Sequence, residues 1–190
     1  VRHNAGAWPV PDALVKSCAG LRKNEGVMVL GIGLSTYTII HVIISLIGIV
    51  TGFVVIFGMT GNHRLNGWTF WFLLFTVLTS LTGFGFPFDH LLPSHIVGII
   101  SLVVLLIAIV ARYSFGLDGP WRWIFIITAV VAQWFNLFVL VVQSFQKIDF
   151  LRVMAPTQSE PPFQIAQGTV LIVMIVLAVA ALRKFHPQTA

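Results

Sequence analysis

The sequence predicts an all-α fold: an integral membrane bundle of five transmembrane helices. Three observations lead there. Of the 190 residues, 57% are hydrophobic and only 9% charged, whereas an ordinary soluble domain is about 25% charged. Several apolar runs approach or exceed the roughly 20 residues with which a helix crosses the hydrocarbon core. Between the runs stand segments rich in glycine and proline, which cannot continue a helix.

The first 27 residues, VRHNAGAWPVPDALVKSCAGLRKNEGV, differ from the rest. They have no helical or strand periodicity and no apolar stretch long enough for a signal peptide. Lys23 to Val27 can be encoded with a purine-rich GAGG just upstream of an ATG for Met28, as in a bacterial ribosome-binding site. The expectation is a disordered leader or a mis-assigned start over residues 1–27, with a single five-helix domain over residues 28–190.

The first span is expected from about Leu30 to Met59, thirty residues without a formal charge. That exceeds one bilayer crossing, so the segment tilts, projects, or begins unwound. The second runs from Trp68 to about Phe86 and is ended by GFGFP, Gly83 to Pro87. The third runs from Pro93, a residue suited to a first helical turn, to about Ala111. The fourth runs from Trp121 to Phe145, and the fifth from about Phe163 to Leu182 after the loop PTQSEPP, Pro156 to Pro162.

Lys and Arg in short loops orient such a bundle. Arg64, Arg112, Arg122, Arg183 and Lys184 share the C-terminal side, and only Lys147 and Arg152 follow Met28 on the other. Five against two predicts a cytoplasmic C-terminus. The leader's Arg2, Lys16, Arg22 and Lys23 make the count six against five the other way. Trp68, Trp71, Trp121 and Trp123 begin spans on the same side as the five basic residues, as an aromatic interface belt does. Topology thus accounts for the excess of 11 Lys+Arg over 6 Asp+Glu. No basic cluster interleaved with aromatics suggests nucleic acid. The single cysteine, Cys18, gives no disulfide framework and no thiolate metal site.

Helical spacing lines up small and polar residues on one face of each of four spans. His41, Ser45, Gly48 and Gly52 do so on the first, with a GxxxG step that permits close backbone approach. Thr69, Thr76, Ser80 and Gly83 do so on the second, and Ser94, Gly98 and Ser101, with His95 beside them, on the third. Ala129, Gln133, Asn136 and Gln143 form the stripe of the fourth. The fifth carries Gln164, Gln167 and Gly168 near its outer end. Exposed GxxxG spacing also permits a homodimer or a membrane protein partner.

The segment FDHLLPSH, Phe88 to His95, holds an aspartate, two histidines and a proline with long apolar runs on both sides. With His41, Gln143 and Gln167 it falls in the outer half of the bundle. The ligand-binding candidates are therefore His41, Asp89, His90, His95, Gln133, Asn136, Gln143 and Gln167, forming a polar pocket for a small or lipid-like ligand. Two neutral imidazoles facing each other across a bundle can also hold heme b, and His41 with His95 is that alternative. The same histidines with Asp89 and His90 have the donor chemistry of a zinc site. Against these readings, Asp89 and Ser94 can cap the third helix and His90 can be solvated at the interface. Without HExxH, CxxCH or a set of four histidines, neither a resident metal nor a cofactor is the first reading. No carboxylate or lysine lies within a span, which argues against a proton-coupled pump, and a small-solute permease is the weaker alternative.

From Thr36 onward the chain resembles a family of small bacterial polytopic inner-membrane proteins. The resemblance rests on HVIISLIGIVTG (His41 to Gly52), LTGFGFPFDHLLPSHIVGIISL (Leu81 to Leu102) and APTQSEPPF (Ala155 to Phe163). It implies a bacterial inner-membrane location and carries no activity with it. The reading of function is a non-enzymatic membrane protein with membrane lipids around it.

Overall fold

The computed structural model describes residues 28–29, 32–86 and 93–186, together with Pro11. The leader expected over residues 1–27 lies, apart from Pro11, outside the described residues, as do Asp89 and His90. Met28–Val29 (β1) pairs antiparallel with Ile32–Gly33 (β2), Met28 opposite Gly33 and Val29 opposite Ile32. All other regular structure described is helical. The helices are α1 (Leu34–Thr60), α2 (Asn66–Gly83), α3 (Pro93–Ile109), α4 (Pro120–Lys147), the short α5 (Asp149–Met154) and α6 (Pro161–Lys184). A π-turn at Val110–Ser114 continues α3.

Four segments are long and apolar enough to cross a membrane: Leu34–Thr60, Ile96–Ser114, Pro120–Lys147 and Pro161–Lys184. The α2 helix is not among them. It has 18 residues, opens on Asn-Gly-Trp-Thr and carries Thr76, Thr79, Ser80 and Thr82 as well, which lower its hydropathy. Ile32 and Gly33, which the expected first span includes, are extended instead of helical.

The long helices alternate in direction and close a ring in which α1 touches α2 and α6, while α4 touches α3 and α6. The α1 and α4 helices also meet across the middle. Three long-range bonds gather one end of the ring. Arg112 donates from Nη2 to Asn66 Oδ1, Arg122 donates from Nη1 to the Phe185 carbonyl, and the His186 N–H donates to Asn62 Oδ1. The five basic residues grouped by the sequence therefore belong to one end of the bundle.

Polarity is arranged as a lipid solvent requires. Ile39, Val50, Phe57, Leu106, Ile172 and Val176 are exposed, whereas Thr51, Thr69, Thr76, Ser101, Gln133 and Asn136 are buried. Lipid tails are as apolar as leucine, so close packing and interhelical hydrogen bonds hold such helices together. The α1 and α4 helices supply much of this interior, and on α4 Phe125, Ala129, Ala132, Gln133 and Asn136 recur at three- and four-residue steps on one buried face. By contrast, α6 buries only Met174 and Ala181.

The short α5 was not foreseen. Phe150 and Val153 are 72% and 80% exposed, while Asp149 and Arg152 close a one-turn ion pair at 2.7 Å. Apolar side chains turned outward beside a paired polar edge suit a helix lying in the membrane interface.

Candidate functional site

The expected polar residues separate into three places. The innermost joins α1, α2 and α4. Gln133, fully buried, donates from Nε2 to the Ile49 carbonyl at 3.0 Å. One turn along, Asn136 donates from Nδ2 to Thr76 Oγ1 at 3.2 Å. A Cβ on Gly52 would overlap Gln133 Oε1 and come within 2.8 Å of the Phe72 ring. The GxxxG step thus admits a glutamine side chain at Gly52, while at Gly48 a Cβ would make only ordinary contacts. Each amide is used in tying helices together, the common role of such groups in a bundle interior.

The second place lies about 12 Å along α1, at 1.5 Å per residue. His41 Nδ1 is 2.7 Å from Thr82 Oγ1, and Thr82 Oγ1 is 2.7 Å from its own helix's Leu78 carbonyl. The hydroxyl is equally close to the ring nitrogen and to that carbonyl, and it has one proton to give to either. When the proton goes to the carbonyl, His41 donates from Nδ1 and its Nε2 lone pair is left as an acceptor or ligand atom. Tyr37 donates its hydroxyl to the Thr82 carbonyl at 2.7 Å, and the Phe86 ring meets both Tyr37 and His41 edge-on. Neither Tyr37 nor Thr82 stood out in the sequence; their spacing from His41 becomes meaningful only once α1 lies against α2.

The third place is the α4–α6 contact, where Gln167 donates from Nε2 to the Phe138 carbonyl at 3.1 Å. Gln143, expected on the interior stripe of α4, is instead exposed; the helix has turned its inner face to Phe145 at that level. Ser80 and Ser101 do meet, at 3.2 Å, joining α2 to α3 as their stripes suggested. His95 belongs to α3, and Asp89 and His90 lie outside the described residues. Among the described residues no three His, Cys, Asp or Glu side chains gather where they could hold a metal ion.

An open concavity lies elsewhere. A groove of about 470 Å³ runs along the α1–α2 hairpin, lined by Ile47, Thr51, Gly67, Trp68, Trp71 and Phe75. Trp71 stacks on Phe75 at 5.7 Å, and Thr51 turns its hydroxyl back to the Ile47 carbonyl at 2.7 Å. The lining is therefore almost wholly apolar. Gly67 opens the groove, since a Cβ there would meet nothing within 4 Å.

No family model, curated protein or solved structure matches this chain. The three polar places are hydrogen-bonded joints between helices, and the α1–α2 groove is an apolar, aromatic-walled slot.

Proposed function

We propose that the chain is a non-enzymatic integral membrane protein of five membrane-spanning helices that binds a lipid-like apolar ligand in the α1–α2 groove. The observation that carries this reading is the groove itself: about 470 Å³ with tryptophan walls and a glycine at its mouth. Tryptophan is favoured at the level where acyl chains meet headgroups. The resemblance to small bacterial inner-membrane proteins and the concentration of basic residues at one end support an inner-membrane location with the C-terminus in the cytoplasm. The hydrogen bonds of Gln133, Asn136 and Gln167 favour the groove over a polar pocket built from those residues.

The test fills the groove. Gly67→Leu adds a side chain where a Cβ meets open space, and its thermal unfolding is compared with that of the wild type to establish that it folds. Lipids co-purifying in mild detergent are then identified by mass spectrometry. An apolar species retained by the wild type and lost from Gly67→Leu is the expected result; equal retention by both proteins overturns the reading.

One observation favours heme b as a second reading. The Thr82 hydroxyl engages His41 through Nδ1, and an axial histidine ligand has its other ring nitrogen oriented by a neighbouring group in this way. His95 on α3 would be the partner. An oxidised and dithionite-reduced absorption spectrum of protein expressed with heme supply separates the readings. A Soret band abolished by His41→Ala but kept in His186→Ala supports heme, and a colourless folded preparation excludes it.

A further inference from the structure

At the basic end, Arg112 is 5% exposed. The π-turn at Val110–Ser114 and the turn after it place it there. Leu117 and Gly116 adopt positive φ values of 73° and 61°, and the Leu117 N–H reaches back to the Ala111 carbonyl. Single π-turns of this kind occur frequently at functional sites. The guanidinium donates to Asn66 Oδ1, lies 5.3 Å from the centre of the Phe125 ring and interacts with the Tyr113 hydroxyl. Arg64 stands two residues before Asn66, the residue that holds Arg112, and its positive charge acts against that of Arg112. The Nε of Arg64 is itself buried and lacks a hydrogen-bond partner. Among the described residues the one ion pair within 4 Å is Asp149–Arg152, at the opposite end. Two neighbouring arginines linked through Asn66, one buried and one with an unused buried N–H, and neither in an ion pair among the described residues, form a poor structural joint and a good anion receptor. Planar arginine forks match the oxygens of a phosphate group.

We propose that Arg64 and Arg112 form a binding site for a phosphate-type oxyanion, supplied by the headgroup of an anionic phospholipid or by free phosphate. The site is distinct from the α1–α2 groove and does not depend on what fills it. Asn66 holds Arg112 in position, and Phe125 covers one guanidinium face. The oxyanion would bridge the two arginines and remove their mutual repulsion, so its binding stabilises the folded chain in proportion to its occupancy.

The experiment uses the full chain in nanodiscs of phosphatidylcholine alone or with phosphatidylglycerol, and in phosphatidylcholine titrated with inorganic phosphate. Thermal unfolding and native mass spectrometry are the readouts. The variants are Arg64→Gln, Arg112→Gln and, as a control from the opposite end, Arg152→Gln. In the wild type, an upward shift of the unfolding temperature with phosphatidylglycerol, together with its retention, identifies the lipid headgroup as the source. A shift with inorganic phosphate in phosphatidylcholine identifies the free anion. In either case Arg64→Gln weakens the response about tenfold, as loss of one charge-assisted bond implies, and Arg152→Gln leaves it unchanged. If Arg112→Gln does not fold, the partly exposed Arg64 carries the test. No shift with either additive overturns the proposal, as does an Arg64→Gln response equal to that of the wild type.

Discussion

Gly52 of α1 lies directly beneath the side-chain amide of Gln133 of α4, so that a single methyl group on Gly52 would overlap Gln133 Oε1. The amide nitrogen meanwhile donates to the Ile49 carbonyl, three residues earlier on the same helix. One residue thus supplies the space and its neighbour the acceptor. Gly52→Ala is expected to destabilise the bundle by about 1–3 kcal/mol, as overpacking of a filled core does. Gln133→Ala in that background should recover part of the loss. Reversible unfolding in mixed micelles measures the coupling; additive effects of the two substitutions would show that the contact is not what excludes alanine.

The Asn136–Thr76 bond ties α4 to α2 in the interior. Interhelical hydrogen bonds of this kind contribute about 0.6 kcal/mol on average and up to about 1.7. A double-mutant cycle with Asn136→Leu and Thr76→Val should therefore give a coupling energy within that range. A value near zero would indicate that the two groups exchange partners.

Tyr37 and Gly85 stand in a similar relation at the other end of α2. A Cβ on Gly85 would overlap the Tyr37 hydroxyl and lie 2.8 Å from its ring carbon Cζ. Gly85→Ala is expected to lower stability and to release the Tyr37–Thr82 bond. Tyr37→Phe, which removes only the hydroxyl, should relieve part of that strain, and thermal unfolding of the two single variants and the double variant tests this.

Glu160 opens α6 with a carboxylate that accepts from the N–H and hydroxyl of Thr157 and the N–H of Ser159, at 3.0, 2.8 and 3.1 Å. Desolvation pushes the carboxyl upward, but these bonds together outweigh it and hold Glu160 below its usual value of 4.5. Because the folded value is depressed, the loop's stabilisation is complete above the unfolded value and is lost as pH falls through the folded one. The amide resonances of Thr157 and Ser159 should titrate together with a midpoint below 4.5, and Glu160→Gln should abolish the transition.

What the sequence by itself determined is the local part: which segments are apolar helices, where Gly and Pro end them, and that Arg64, Arg112, Arg122, Arg183 and Lys184 belong to one end. Hydropathy and helix breaking act over a few residues, so they are readable along the chain. Even there, α5 was missed, because six residues are too few for a periodic signal, and Gln143 was assigned to an interior face that has already turned to Phe145. Only the tertiary structure decided which polar group meets which. Gln133 finds the carbonyl of a residue 84 positions earlier, and Tyr37 one 45 positions later. Such pairings depend on helix rotation and on the room that Gly52 leaves, neither of which is a property of any short stretch. Arg112 makes the same point: in the sequence it is one of five charges marking a membrane face, and the π-turn after α3 makes it a buried cation.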